Sequence, residues 1–446
     1  MKRQPLILSL IVASAAAAQE PLELADAVRQ SLGRHPSIEA AASNILAAQS
    51  RIDQARSGWL PRAVLQEGFQ SGNHPVYVFG ALLTQRQFTE AHFALDRMNR
   101  PDALNNFQAQ VALDQTVWDF GATRNLVRAA ELGRKMSEQE RKKLEMQLVA
   151  GVARAYHSVT LSSEALAVAR EALKSAESDL KRAESLRAAG MATDADVLSM
   201  RVHAAAMKEQ EIRRRADVEV SRAALNEALG LPLNTEHRLT TQLTASTPPP
   251  DPAADLEARA VQSRPEIEQA RLAREVAQAQ EASARAQLLP QVGVRGVLEA
   301  NRQQFVNRGG ANWLFAASLR WNLFDGNRAR GAVAEARHLK NAAAAGERQL
   351  DSAIRLEVRK AKAGLKAAAE RVSVSEAAVT QAEESLRIIR NRYSSGLATM
   401  SDLLRAETAF TEAKTRRLAA LYDQRMSAIG LDLAAGTLNG DSDVLK

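Results

Sequence analysis

Gly190-Met191-Ala192-Thr193-Asp194-Ala195-Asp196 returns 206 positions later as Gly396-Leu397-Ala398-Thr399-Met400-Ser401-Asp402. Glycine, then threonine, then an acid three residues on is the order of a turn between two helices. The glycine ends one helix where the chain needs φ above zero, and the threonine caps the next helix with the acid answering it. Other pairs keep the same offset: Trp118-Asp119 with Phe324-Asp325, Arg124 with Arg330, Leu225 and Gly230 with Leu431 and Gly436. Earlier in each copy the offset is 229. His35-Pro36-Ser37-Ile38-Glu39 matches Arg264-Pro265-Glu266-Ile267-Glu268, and Ala55 to Pro61 matches Ala284 to Pro290. The chain is a duplication whose first copy holds 23 extra residues between these blocks.

The structure breakers divide the remainder. None of the thirteen prolines lies between Pro101 and Pro232, and none follows Pro290. Proline inside a helix costs about 3 kcal/mol, so both stretches permit long helices, and both are rich in good helix formers. Apolar positions recur at three and four residues, as in Leu144, Leu148, Val152, Tyr156 and Val159. The run from Ala122 to Arg187 would extend about 100 Å as a helix, a length suited to coiled-coil packing.

The aromatics sit elsewhere. Fourteen of the eighteen fall within Trp59–Phe120 and Phe305–Phe324, including all four tryptophans. There the rhythm changes to two. Phe107, Ala109, Val111 and Leu113 alternate with Gln108, Gln110, Ala112 and Asp114. Val292, Val294, Gly296 and Leu298 alternate with Gln291, Gly293, Arg295, Val297 and Glu299. Trp313, Phe315, Ala317, Leu319 and Trp321 alternate with Leu314, Ala316, Ser318, Arg320 and Asn322. A weaker fourth strand lies near Arg62–Ser71, where Glu67 shares a face with Leu65 and Phe69. Such strands fit a transmembrane barrel with Arg295 and Arg320 facing its lumen. Trp313, Phe315, Trp321 and Phe107 would then form an aromatic belt at the membrane interface. A half-buried soluble sheet alternates in the same way.

The beginning of the chain decides the compartment. Met1-Lys2-Arg3, an apolar stretch from Leu6 to Val12 and the small residues Ala13 to Ala18 form a secretory leader, with cleavage expected after Ala18. No segment reaches the roughly 20 uncharged apolar residues of a membrane helix. A membrane protein of this sequence must therefore span by strands. With no cysteine, disulfides, thiolate metal sites and thiol catalysis are excluded. The net charge of +7 is spread over mixed-sign helix faces, which argues against nucleic acid. His35, His74, His92, His157, His203, His237 and His338 are dispersed, so no metal or other cofactor is expected. No polar constellation suggests an enzyme.

The expected organisation is a signal peptide over residues 1–18, a first repeat over 19–232, a linker over 233–253 and a second repeat over 254–446. Strands fall within 61–120 and 290–324, and helical hairpins over 122–230 and 327–436. The extra residues form a long exposed loop over 74–105. Four strands cannot close a barrel, and an open sheet edge does not survive in lipid, so several chains would share one barrel. Two, three or more copies satisfy that requirement.

The duplicated order of His-Pro-x-Ile, Leu-Pro entering a strand, aromatic-Asp leaving one and Gly-x-x-Thr-x-x-Asp at a helical turn resembles the TolC-type outer-membrane efflux proteins. The resemblance spans about Leu22 to Gly436. It implies a mostly α fold with a membrane β-barrel portion: a homotrimer with one twelve-stranded barrel in the Gram-negative outer membrane, continued by an α-helical coiled-coil tunnel in the periplasm. The implied function is a passive duct for efflux or type I secretion, with a periplasmic adaptor and, through it, an inner-membrane pump as partners. By the same resemblance Gly190, Thr193, Asp196, Gly396 and Thr399 belong to adaptor-contacting tips, although capping alone also accounts for them. Asp402 and Tyr393 match positions at a periplasmic gate. The chain departs from the family in having Arg405 where a second acid can stand and Ala398 where a basic residue can stand. An Asp402–Arg405 pair is expected to replace part of the gate bonding. A soluble periplasmic coiled-coil adaptor is the competing reading, and it requires no outward-facing apolar bands.

Overall fold

The computed structural model describes residues 21–245, 256–306 and 309–445. The leader over 1–18 and the proline-rich Thr247–Pro252 of the expected linker lie outside the described residues.

The first copy runs β1 (Pro21–Leu22), α1 (Leu24–Arg34), α2 (Pro36–Arg56), β2 (Arg62–Gly72), α3 (Pro75–Thr84), α4 (Leu95–Asn99), β3 (Leu104–Trp118), α5 (Ala122–Ala188) and α6 (Asp194–Ala228), followed by the short β4 (Arg238–Leu239). The second runs α7 (Leu256–Ser263), α8 (Pro265–Ala286), β5 (Gln291–Arg302), β6 (Gly310–Arg320), α9 (Arg328–Ser394) and α10 (Met400–Ala435). The copies correspond element for element apart from α3, α4 and the two-residue strands. The first long helix of each hairpin has 67 residues in both copies.

The duplicated motifs stand where elements begin and end. Pro36 and Pro265 open helices at a position whose N–H has no intrahelical partner. Pro61 and Pro290 each stand immediately before a strand, after a short turn that follows the helix end. The aromatic-Asp pairs turn strand into helix. Asp119 Oδ2 accepts from the Thr123 N–H at 2.7 Å, and Asp325 Oδ2 accepts from the Ala329 N–H at 3.0 Å. Each carboxylate thereby satisfies an otherwise orphaned first-turn donor.

The chain divides into two compact units. One comprises residues 41–140 and 266–351 and holds a four-stranded antiparallel sheet in the order β2-β3-β5-β6. The other comprises residues up to 40, 141–265 and 352 onward. Its largest core gathers Leu24, Val28, Val149, Val152, Tyr156, Leu225, Leu229, Ile429 and Leu438.

Two expectations need correction. The span 233–253 is not a linker throughout, because β4 pairs in parallel with β1. The buried Tyr156 hydroxyl donates to the Leu22 carbonyl at 2.7 Å and accepts from the N–H groups of Thr240 and Thr241 at 3.1 and 3.0 Å. A two-residue ladder has too little burial of its own to hold, and one phenol on α5 supplies the tie. Nor is 74–105 a loop throughout, although most of Thr89–Ala103 is exposed. It contains α3, whose Val78, Ala81 and Leu82 are buried together with Leu104. The spacing of these side chains puts them on one helix face.

Candidate functional site

The register of the sheet decides which side chains share a face. Leu65 pairs with Val111, Val111 with Leu298, and Leu298 with Trp313. In the same way Leu113 pairs with Gly296 and Gly296 with Phe315, while Phe69 pairs with Phe107. All four apolar alternations therefore coincide on one face. The other face carries Gln66, Gln110, Glu299 and Asn312 in one row, the apolar Val64, Ala112, Val297 and Leu314 in the next, and Arg62, Asp114, Arg295 and Ala316 in the row beyond. Arg295 Nε lies 3.7 Å from Asp114 Oδ1 across that row. Arg320, paired with Gln291, lies on the same polar face at the strand end nearest the long helices.

Glu67, which spoils the apolar face of β2, is answered there. Arg302 on β5 points from the same face and reaches Glu67 Oε1 at 2.5 Å. Such a pair carries no net charge, which lowers the cost of placing either group on an apolar surface.

Trp313 stands near the strand ends remote from the long helices, and Trp321 follows the opposite end of β6, donating its indole N–H to the Leu288 carbonyl at 3.1 Å. Trp59 and Trp118 also lie at the end near the long helices, more than half exposed or close to it. Phe107 is near the remote end and stacks against Phe69 with ring centroids 4.7 Å apart. Phe315 is in the middle of β6, opposite Gly296. It is therefore on the apolar band rather than in a belt at its rim.

The outer strands β2 and β6 each pair on one side only within the chain. An antiparallel sheet that is apolar on one face, polar on the other and open at both edges is unfinished: in lipid those edges must pair with further strands.

The two helical turns are near copies of each other. Gly190 and Gly396 have φ of +75° and +74°, with open space where a side chain would go. The requirement for glycine is thus conformational. Met191 N–H donates to the Leu186 carbonyl and Leu397 N–H to the Arg392 carbonyl, each at 2.8 Å, which closes the preceding helices. Thr193 Oγ1 accepts from the Asp196 N–H at 3.2 Å, while Asp196 Oδ2 accepts from the Thr193 N–H at 3.0 Å. Thr399 and Asp402 repeat this at 3.2 and 3.1 Å.

Asp402 is thereby committed to its cap. Hydrogen bonds from the Thr399 hydroxyl and N–H hold its carboxyl below the usual carboxylate range, with smaller help from the charges of Arg405 and Arg392. The expected Asp402–Arg405 ion pair does not form among the described residues. The i,i+3 spacing permits it, but the capping bonds turn the carboxylate toward Thr399. Tyr393 packs on a cluster of Ala183, Val197, Met200, Leu386, Met400 and Leu403, which draws on both hairpins. Burial raises its pKa, and the Asp196 and Asp179 charges add to the rise.

A buried polar cluster near these turns escaped the sequence reading. Arg390 donates to Glu407 Oε1 and Ser175 Oγ at 2.9 Å and reaches Asp179 Oδ2 at 3.5 Å, while His203 Nε2 lies 3.3 Å from Glu407 Oε2. Burial, then the adjoining Glu407, push Asp179 up to about 6. For Glu407 burial acts upward, but hydrogen bonds from His203, Asp179 and Arg390 outweigh it and bring the group to about 2. The available signal was an acid inside an apolar rhythm: Asp179 between Ala176 and Ala183, and Glu407 one turn past Leu403.

The model of the outer membrane efflux protein family matches residues 27–231 and 256–437. The chain belongs to that family. It is 29% identical over 348 residues to outer membrane protein OprJ of Pseudomonas aeruginosa, a match covering 73% of this chain and 70% of OprJ. Among solved structures, the fold matches VceC of Vibrio cholerae with a TM-score of 0.75 at 20% identity, covering 93% of this chain and 96% of that one. It matches the open state of the Neisseria gonorrhoeae MtrE outer membrane channel with a TM-score of 0.77 at 19% identity, covering 94% and 90%. The protein is an efflux channel of the Gram-negative outer membrane, with a barrel portion in the membrane and a helical tunnel in the periplasm.

Proposed function

We propose that three copies complete one barrel and form a passive export duct, joined in the periplasm to an adaptor protein and, through it, to an inner-membrane pump. The observation that carries this reading is the four-stranded sheet with two open edges and a single apolar face. Three such sheets make twelve strands, more than the roughly eight whose side chains fill a barrel interior. Gly190, Thr193, Asp196, Gly396 and Thr399 form the adaptor-facing tips. Asp402, Tyr393 and Arg405 form the periplasmic gate, with three Asp402 carboxylates around the axis favouring cations as charged rings do. Arg295 and Arg320 line the lumen, and Trp313, Trp321 and Phe107 mark the membrane interfaces. The duct has no catalysis and no energy source of its own.

The test is cross-linking of the purified protein to establish copy number, followed by single-channel recording of wild type beside Asp402→Ala. A covalent species of three copies and a small cation-preferring conductance that grows in Asp402→Ala are expected. Pores indifferent to the substitution would move the gate elsewhere. Folded protein that stays a monomer and never inserts would leave the soluble coiled-coil reading.

A further inference from the structure

The part of the insertion that forms α3 and its C-terminal turn folds back over the polar face of the sheet, at the strand ends remote from the long helices. Gln85, at the end of α3, donates through Nε2 to the Asn105 carbonyl at 2.9 Å and to Asn106 Oδ1 at 3.0 Å. Asn106 Nδ2 in turn donates to Asn301 Oδ1 at 2.9 Å. Arg86 donates to the Ala311 carbonyl at 2.7 Å, and Asn312 Nδ2 to the Thr84 carbonyl at 3.2 Å. Asn106, Asn301 and Asn312 all belong to the polar face. Gln85, Asn106 and Asn301 are 2%, 6% and 2% exposed, although residues on that face would otherwise meet water. The fit is close: a Cβ added at Gly310 would lie 2.0 Å from the Thr84 carbonyl oxygen. Tyr77 ties the other end of α3, donating to the Gln70 carbonyl at 3.0 Å.

The opposite side of α3 is apolar and partly uncovered, with Phe79 resting edge-on against Phe88 at 4.8 Å between ring centroids. Val78, Ala81, Leu82 and Gln85 turn to the sheet. Val76, Phe79 and Leu83, on the far face by helical spacing, are 76%, 36% and 49% exposed. Lipid cannot cover them, because the lipid-facing side of the sheet is the other one. The open edges of β2 and β6 bring further copies around the same lumen, and those copies carry the same helix.

We infer that α3 is an exit constriction: in the assembled channel the three copies of Val76, Phe79 and Leu83 meet around the axis and form an apolar ring that sets the size of cargo able to leave. This rests on the three-copy barrel proposed above. The amide chain from Gln85 to Asn301 latches each helix to its own wall, and the ring restricts flow because a narrow apolar neck sheds water.

The absence of native cysteine allows a direct test in whole cells. Leu83→Cys should give disulfide-linked dimers on mild oxidation, since two of three thiols at an axis can pair. Ser318→Cys, on the polar face further inward, should react slowly with a bulky polyethylene glycol maleimide added from outside. Replacing residues 75–99 by a short Gly-Ser linker, or combining Val76→Ser, Phe79→Ser and Leu83→Ser, should speed that reaction about tenfold or more. Because the reagent enters from outside, the periplasmic gate does not influence the result. Three-copy pores with unlinked Leu83→Cys and equal labelling with and without the insert would overturn the constriction and leave the duct standing. Absence of a three-copy assembly would remove both.

Discussion

Single residues in this chain are constrained by backbone geometry and by burial. Gly190 and Gly396 occupy left-handed positions with room around them, so Gly190→Ala or Gly396→Ala should loosen the local turn by about 1–2 kcal/mol. The effect should appear as faster amide hydrogen exchange at Met191 or Leu397, with the sheet unaffected. His157 is 1% exposed, and neither ring nitrogen has a hydrogen-bond partner. Burial, aided by the charge of Arg425, brings its pKa from 6.5 to about 4. A base with a depressed folded pKa stays neutral in the fold while the unfolded chain takes up a proton. Its contribution is therefore intact above pH 6.5 and lost as pH falls toward about 4. Thermal unfolding followed by helical circular dichroism should show that loss in wild type, and His157→Leu should flatten the slope over the same range.

Elements are set by rhythm, and their pairing by register. A one-residue slip in any strand would exchange its faces, so each face can be tested separately. Trp313→Arg on the apolar face should cost about 2–4 kcal/mol at the membrane midplane and less near an interface, reducing the folded channel recovered in outer membranes. Ser318→Arg, on the polar face, should leave that yield unchanged. Arg320→Glu should shift ion selectivity toward cations in single-channel recordings without affecting assembly; loss of assembly would mean that Arg320 does not face the lumen. Among the helices, Thr399→Ala removes a cap worth about 1 kcal/mol and frees the Asp402 carboxylate from its strongest partner.

At the scale of the whole molecule, a short sheet is joined to helices far longer than a single globular core requires. No described helix is long and apolar enough to cross a membrane, and the apolar surface available for lipid lies on the sheet. The sheet has two unpaired outer strands within the chain, and on the proposed reading further copies pair with them. Among the described residues, Arg302 and Glu67 are the one charged pair on the apolar face. Glu67→Ala should leave Arg302 uncompensated there and lower the yield of assembled channel, whereas the double replacement with Arg302→Ala should restore part of it. Quantitative blotting of outer-membrane fractions would measure both.

The duplication, the paired 67-residue helices, the capped turns and the four alternating strands were legible in the sequence because each is written in local periodicity or in a repeated short motif. So was the apolar face of each strand, whereas the register that brings Leu65, Val111, Leu298 and Trp313 together was not, since a slip by two residues keeps the same faces. The buried cluster of Asp179, His203, Arg390 and Glu407 was not, because its members come from four helices and no local pattern brings them together. The docking of α3 was hidden for the same reason: its amphipathic spacing is local, but Gln85 finds Asn106 and Asn301 only once the strands have paired. Asp402 shows the division within one residue. The sequence placed it three positions after a capping threonine, and the folded turn decided that its carboxylate serves that cap rather than Arg405, since a neighbouring N–H and hydroxyl are already in place while the arginine must be ordered to reach it.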